Sequence, residues 1–138
     1  WWKDTGQLAD MLEANRLVLD DIGTSLRGTI EDSRVEGRVI VEEGALLKNS
    51  VVRGPAVIGR DAVVEDAYIG PYTSIGNRVR VVNSEIEHSI LLSGSSVENL
   101  GARIEASLLG REVRVTRSDS LPKTMRLLVG DRSEIEIV

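Results

Sequence analysis

The sequence predicts an all-β protein whose chain winds into a triangular coil of short parallel strands. Three observations predict it: an aliphatic composition almost without rings, a repeat of 17 residues, and small residues two positions before the key aliphatic ones. The 138 residues include 17 Val and 11 Ile, but no Phe, two Tyr and two Trp. This composition favours many narrow, similar layers over a few helices packed on aromatic rings.

The repeat carries most of the prediction. Val, Ile or Leu recurs in three columns with spacings of 5, 6 and 6, and a small or β-branched residue stands two positions before each. Because residues i and i−2 of a strand share a face, each side of the coil has one large and one small inward side chain. The columns are Val35, Val52, Ile69, Ile86 and Leu109; Val41, Ile58, Ile75, Leu92 and Val115; and Ile30, Leu47, Val64, Val81 and Ile104.

Five coils are predicted over residues 28–117, with one interruption. Leu92 and Ile104 are twelve residues apart where the pattern expects six, so residues 93–103 are expected to leave the prism as a loop. Asp or Asn begins the turn in four repeats, as is typical of turn formers: Asp32, Asn49, Asp66 and Asn83. Positive φ angles are expected at glycines that directly follow key residues, where the chain turns: Gly59, Gly70, Gly76 and Gly110.

The two ends differ from the coils. Residues 8–19 predict an amphipathic helix, with Thr5 as its cap, Gly6 in the turn before it, and one apolar stripe made of Leu8, Met11, Leu12 and Leu19. Residues 118–138 leave the repeat, and the alternation in 133–138 predicts a strand that caps the open end of the stack. The chain is thus divided into residues 1–27, 28–117 and 118–138.

Composition excludes several kinds of function. There is no Cys, so disulfides and thiolate metal sites are excluded, and the single His88 excludes a poly-His site. A net charge of −5 argues against nucleic acid or an anionic membrane as partner. No apolar run approaches the ~18 residues of a membrane span. We expect a cytoplasmic protein, and one cut from a longer chain because it starts with Trp1.

The hexapeptide pattern resembles the left-handed parallel β-helix; the handedness comes from this resemblance, since parallel crossovers are normally right-handed. Four stretches resemble the long form of the glucose-1-phosphate thymidylyltransferases, from the end of the catalytic domain through the β-helix. They are WKDTG at 2–6, YIGPYTSIG at 68–76, NSEIEHSI at 83–90 and Pro122-Lys123. The resemblance covers nearly the whole chain, and related enzymes that use other nucleoside triphosphates share the layout.

The resemblance implies a C-terminal oligomerisation and regulatory domain. The full-length enzyme would join dTTP and glucose 1-phosphate, release pyrophosphate, and use Mg²⁺ with Asp4 among its ligands. The glycine-rich nucleotide loop and the other metal carboxylate of that family have no counterpart here, so the chain alone is expected to be inactive, with no catalytic or cofactor-binding residue. Expected partners are its own catalytic domain and further copies of the chain, with a trimer favoured over a dimer.

A second interpretation is a hexapeptide-repeat acyltransferase. In it, His88 is the general base that activates a sugar hydroxyl or amine towards acetyl-CoA. The alternative that we favour is that His88 occupies a solvent-facing turn, because it shares its repeat position with Gly37, Gly54 and Pro71.

Other polar and aromatic residues also have two interpretations. Trp1 and Trp2 are expected to pack against the missing domain rather than to stack on a sugar. Tyr68 and Tyr72 are either interface anchors or solvated turn residues. Several arginines are expected to form a solvated face rather than a phosphate site: Arg34, Arg53, Arg60, Arg78 and Arg80.

Overall fold

The structure is a computed structural model that describes residues 4–138, with side chains from residue 7 onward. One helix, α1 (Asp4–Leu19), precedes seventeen strands of two or three residues. The strands are β1 Ser25–Leu26, β2 Thr29–Glu31, β3 Arg34–Glu36, β4 Val39–Val41, β5 Leu46–Lys48, β6 Val51–Arg53, β7 Ala56–Ile58, β8 Val63–Glu65, β9 Tyr68–Ile69, β10 Thr73–Ile75, β11 Arg80–Val82, β12 Glu85–Glu87, β13 Ile90–Leu91, β14 Ser96–Glu98, β15 Ile104–Glu105, β16 Leu108–Leu109 and β17 Arg114–Thr116.

Strands three apart along the chain are hydrogen-bonded neighbours, and the pairs are parallel. Three flat sheets result: face A (β1-β4-β7-β10-β13-β16), face B (β2-β5-β8-β11-β14-β17) and face C (β3-β6-β9-β12-β15). The fold is therefore a left-handed parallel β-helix of about five coils with one N-terminal helix. The fold class predicted from the sequence is confirmed.

Aliphatic side chains fill the interior at the predicted positions of the first coils. One large inward residue per strand and its small partner stack directly on their equivalents 17 residues away, as in the registers of Val41 with Ile58 and of Leu47 with Val64. The large inward residues with an exposed fraction of 0–1% include Val41, Leu47, Val52, Ile58, Val64, Ile69, Ile75, Val81 and Ile86.

The predicted loop at residues 93–103 is wrong. Ser96–Glu98 forms β14, which pairs with β11 and β17, and Val97 is fully buried. Leu91 rather than Leu92 points inward, and Val97 rather than Ile104 continues the column of Val81. Consequently the last inward residues change columns: Ile104 stacks on Ile86, Leu109 on Leu91 and Val115 on Val97.

Three small irregularities replace the single insertion. Ile86 and Leu91, and again Ile104 and Leu109, are five residues apart where earlier coils use six, and Val97 and Ile104 are seven apart where earlier coils use five. The corners β12–β13 and β15–β16 are thus one residue short, and the corner between β14 and β15 is two residues long. Leu91 and Leu92 are both aliphatic, so the alternation in the sequence allowed either to face inward.

The corner after each of the first five strands of face B is formed by Asp or Asn, and none of the corners uses the predicted glycines for its positive φ. Asp32, Asn49, Asp66, Asn83 and Asn99 have φ between 48° and 60°, because their short polar side chains tolerate the left-handed region. This confirms them as turn formers. Their side chains also join successive coils: the Asn49 amide donates to Asp66 Oδ1 at 2.7 Å, and the Asn83 amide to Asn99 Oδ1 at 3.2 Å.

The glycines that follow inward residues have a different role. Positive φ occurs at Gly37, Gly44 and Gly94, and not at Gly59, Gly70, Gly76 or Gly110. A Cβ on Gly59 would lie 2.7 Å from the Asn77 side chain, and one on Gly76 would lie 2.7 Å from the Leu91 carbonyl. These two positions therefore need glycine because the next coil passes too close for a side chain.

Serines at the small inward positions connect neighbouring coils. The Ser50 hydroxyl donates to the carbonyl of Lys48 and accepts the amide N–H of Ala67, one coil on. The same arrangement recurs at Ser33, Ser84 and Ser89. Each such hydroxyl is satisfied inside the prism, so a polar residue is tolerated in a narrow aliphatic core.

The helix α1 begins at Asp4, four residues before the predicted start, so Thr5 and Gly6 lie within its first turn. Leu12 and Leu19 are buried and Leu8 is half-buried, as predicted. Met11, predicted on the same stripe, is instead exposed. No helix within residues 4–138 is long and apolar enough to span a membrane.

The segment after the last strand does not form the predicted strand. Residues 117–138 contain no strand and all are exposed, so 133–138 does not pair with the last coil. The cap prediction is therefore wrong for this segment in the structure. Alternation gives a short segment its strand potential, but a strand also needs a partner edge, and residues 118–132 do not bring the segment back to one.

Candidate functional site

The helix lies on face A and is positioned there by a polar pair. The outward residues of this face from β4 to β16 are Ile40, Val57, Ser74, Ile90 and Leu108, of which Ser74 alone is polar. The equivalent residue of β1, at the first-coil end, is Ser25. Ser74 donates to the Asn15 side-chain oxygen at 2.6 Å, and the Asn15 amide donates to the Tyr72 carbonyl at 3.3 Å. Asn15 stands on the same side of α1 as the buried Leu12 and Leu19.

Tyr72 fixes the C-terminal end of α1 to the prism. Its hydroxyl donates to Asp20 Oδ1 at 2.8 Å, and this hydrogen bond raises the pKa of Tyr72 because ionisation would break it. Arg38, in the first coil, donates to the backbone carbonyls of Asp20 and Ile22. Tyr72 is thus an anchor between two parts of the same chain.

His88 lies at the short corner between β12 and β13. Its φ is 49°, its side chain is half-buried, and its backbone N–H donates to the Pro71 carbonyl at 3.1 Å. The hydrogen bond from Arg16 lowers the pKa of Glu13 in α1, and the charge of His88 lowers this pKa further. His88 therefore occupies the predicted turn, next to α1 rather than in open solvent. Its proposed role as a base stays a prediction.

Face C contains a cluster around the outward aromatic ring of Tyr68. The guanidinium carbons of Arg53 and Arg103 lie 5.6 and 5.4 Å from the centre of the Tyr68 ring, within cation–π range. The Tyr68 hydroxyl donates to Glu87 Oε1 at 3.2 Å. The ring is half-buried between these neighbours. Residues from three coils thus form a single surface feature.

Carboxylates flank the two arginines of this cluster. Arg53 Nε is 3.0 Å from Glu36 Oε1, and Arg103 Nε is 3.2 Å from Glu85 Oε1. The hydrogen bond with Glu36 raises the pKa of Arg53. Face C therefore carries charges of both signs next to an aromatic side chain. Arg103 is not among the arginines predicted for a face of the prism, because it lies within the loop predicted at residues 93–103.

The predicted solvated arginines are exposed in the structure: Arg34, Arg53, Arg60, Arg78 and Arg80. Three of them form surface ion pairs: Arg34 and Arg53 with Glu36 on face C, and Arg80 with Glu98 on face B at 3.1 Å.

A metal centre is not formed by the part of the chain whose side chains are described, because no three His, Asp or Glu residues converge there. The expected Mg²⁺ ligand, Asp4, has its side chain outside the described residues, as do Trp1 and Trp2. The described residues therefore do not fit a resident Mg²⁺.

The stacked hexapeptide coils and the helix on face A define a left-handed β-helix domain. A glucose-1-phosphate thymidylyltransferase of Streptomyces antibioticus is 48% identical over 138 residues, or 99% of this chain and 38% of that protein. The enzyme of the same name from Streptomyces griseus is 47% identical over 138 residues, or 39% of its length. The chain is thus a relative of the C-terminal region of glucose-1-phosphate thymidylyltransferases, and the resemblance seen in the sequence is confirmed.

The bifunctional protein GlmU of Methanocaldococcus jannaschii is 45% identical over 104 residues, or 72% of this chain and 26% of that protein. No family profile matches the chain. The chain spans less than two fifths of the length of the two thymidylyltransferases.

Proposed function

We propose that this chain is the C-terminal assembly and regulatory region of a sugar-1-phosphate nucleotidyltransferase, one that forms dTDP-glucose and pyrophosphate from dTTP and glucose 1-phosphate. The observation that carries the proposal is the 48% identity to a glucose-1-phosphate thymidylyltransferase over 99% of the chain. The relatives named thymidylyltransferase extend well beyond the matched part. The reaction therefore belongs to the whole protein, and Asp4 would join ligands from the remaining portion in holding the Mg²⁺ that stabilises phosphate charge.

The reaction is tested with the full-length protein and with the 138-residue chain. Full-length protein incubated with Mg²⁺, glucose 1-phosphate and dTTP is expected to release pyrophosphate, and the 138-residue chain is expected to release none. UTP, GTP and ATP in place of dTTP establish the base preference. Pyrophosphate release by the short chain alone would contradict the proposal.

Assembly is proposed to use face C and to give a trimer. Face A is covered by α1, whereas the Arg53–Tyr68–Arg103 cluster on face C has the residue types that dominate protein interfaces. Three arginines and four glutamates project from this face, so two copies of it attract where opposite signs meet: Arg34, Arg53 and Arg103 with Glu36, Glu85, Glu87 and Glu105. In a ring of three, face C of each prism would turn towards the three-fold axis and use one part for each neighbour, so the ring closes.

The variant Arg103→Glu tests this surface. It removes the cation over Tyr68 and places a negative charge beside Glu85, so it is expected to weaken association at least tenfold. Arg80→Glu is the matched control, because Arg80 forms the equivalent ion pair on face B and is similarly exposed, 52% against 47%. Light scattering is expected to give about three times 15.1 kDa for the wild-type chain and for Arg80→Glu. Equal effects of both variants would argue against face C.

An acyltransferase that uses His88 is the second candidate, because a relative of the β-helix is named as bifunctional. Acetyl transfer from acetyl-CoA to a sugar phosphate amine, lost in His88→Ala and kept in Glu13→Ala, would support it. His88 is half-buried at a tight corner with a φ of 49°, which argues against it, since a base needs room for its substrate.

A further inference from the structure

We propose that the last-coil end of the prism, together with residues 117–138, is the docking surface for the nucleotidyltransferase portion of the same polypeptide. We call residues 117–138 the C-terminal arm. This inference rests on the proposed function, because it requires that such a portion exists. Three observations carry it: the direction of α1, the exposure of the arm, and the incomplete cover of the last coil.

The helix runs along face A from the last coil towards the first. Its C-terminal end is fixed to Arg38 in the first coil, and Asn15, five residues before Asp20, bonds to Ser74 in the third. Seven residues separate Asn15 from Leu8, or about 10 Å at about 1.5 Å per residue. Because coils are about 4.8 Å apart, Leu8 lies level with the fifth coil. A chain that enters α1 therefore arrives at the last-coil end.

The arm leaves the prism at this same end. It follows β17, the last strand of face B, and among the described residues its side-chain hydrogen bonds join only Ser118 and Ser120 to each other. Large apolar residues are more than half exposed along its whole length: Leu121, Met125, Leu127, Leu128, Val129, Ile135, Ile137 and Val138. Burial of exposed apolar side chains is favourable, so a surface that covers several of them gains a large driving force.

The last coil is also less covered than the middle coils. Val113 is 39% exposed, and Val115 and Ile104 are half-buried, whereas the equivalent Val79, Val81 and Ile86 are fully buried. The outer edges of β15, β16 and β17 have no neighbouring strand among the described residues. An open coil end of this kind is a surface that solenoid proteins cover.

The relatives indicate which part of the polypeptide would cover this surface. The part of the thymidylyltransferases that the chain matches is their C-terminal region, so their remaining length precedes it. In this chain such a portion enters through the start of α1, beside the open coil and the arm. A second copy of the chain is the competing occupant. It has no comparable link to this end, whereas the nucleotidyltransferase portion is covalently held within reach, which raises its effective concentration.

Hydrogen–deuterium exchange of the full-length protein tests the inference. Amides of residues 113–138 are expected to exchange at least tenfold more slowly in the wild type than in the double variant Leu127→Asp, Leu128→Asp. Leu26→Asp is the matched control, since Leu26 is an exposed apolar residue in β1, at the opposite end of the prism, and it is expected to leave the arm protected. The protection is expected to persist over a hundredfold dilution.

Three outcomes separate the possibilities. Fast exchange of the arm in wild-type protein that forms sugar nucleotide overturns the inference and leaves the proposed function standing. Protection that disappears on dilution assigns the arm to a second copy and also overturns the inference. Full-length protein that is folded but forms no sugar nucleotide contradicts the proposed function, and with it the occupant named here.

Discussion

At the scale of single residues, some inward hydroxyl groups of the prism are hydrogen-bonded and others are not. The hydroxyls of Ser50, Ser84 and Ser89 donate to a carbonyl and accept an amide from the next coil. Thr73 Oγ1 and Ser95 Oγ are equally buried but have no hydrogen-bond partner in the described structure. An unpaired buried hydroxyl costs about 1–3 kcal/mol, so these two positions limit the stability of the stack.

The substitution Thr73→Val is expected to raise the free energy of unfolding by about 1 kcal/mol, because it replaces an unpaired hydroxyl by a methyl group of the same shape. Ser50→Ala serves as the control and is expected to lower it by about 1 kcal/mol, since it leaves the Ala67 amide without its acceptor. Urea denaturation followed by circular dichroism measures both. A Thr73→Val protein that is less stable than wild type would mean that the hydroxyl is satisfied.

At the scale of elements, the contact between α1 and face A combines apolar burial with one polar pair. Leu12 and Leu19 of the helix are buried, and the outward residues Ile40 and Val57 of face A are aliphatic. Asn15 is polar next to the buried Leu12 and Leu19, Ser74 is polar between Val57 and Ile90, and the two side chains meet. A shift of α1 by one turn would bury both side chains without a partner, so the pair specifies one position of the helix.

A double-mutant cycle on this pair is expected to show coupling. Asn15→Leu alone strands the Ser74 hydroxyl, and Ser74→Val alone strands the Asn15 amide, so each is expected to destabilise the protein by about 1–2 kcal/mol. The double variant replaces both partners and is expected to be less destabilised than the sum of the two by about 1 kcal/mol. Additive effects in urea denaturation would show that the hydrogen bond does not position the helix.

At the scale of the whole molecule, stability depends on an unbroken column of inward aliphatic residues. Each coil packs mainly on the coils above and below it, so a fault in the middle of the column separates the two halves of the stack. Neighbouring residues of one strand allow a sharp comparison: Val81 is fully buried, whereas Val82 is half-buried and faces outward.

Val81→Asp is expected to abolish cooperative unfolding at 25 °C, because an unpaired charge in a narrow apolar interior costs several kcal/mol. Val82→Asp, one residue further along β11, is expected to change the free energy of unfolding by less than about 1 kcal/mol, as at other surface positions. Thermal melts monitored by circular dichroism distinguish them. Similar melting of the two variants would mean that the inward assignment of β11 is wrong.

Local periodicity was enough to predict the fold class, the inward residues of the first coils and the turn-forming Asp and Asn column. Each depends on alternation or on turn chemistry within a few residues. Periodicity failed where two residues fitted the pattern equally well. Leu91 and Leu92 are both aliphatic, and which of them points inward depends on packing against the strands above and below. Those strands are distant in the sequence.

Periodicity could not predict the cluster on face C or the position of α1 on face A. Tyr68 meets Arg53 and Arg103, which are 15 and 35 residues away, and Asn15 meets Ser74 across 59 residues. Such contacts depend on how coils stack and on which face the helix covers. Short-range spacing therefore determined the shape of each coil, whereas the surfaces with a proposed function arose from stacking, because stacking alone brings distant residues to within a few ångströms.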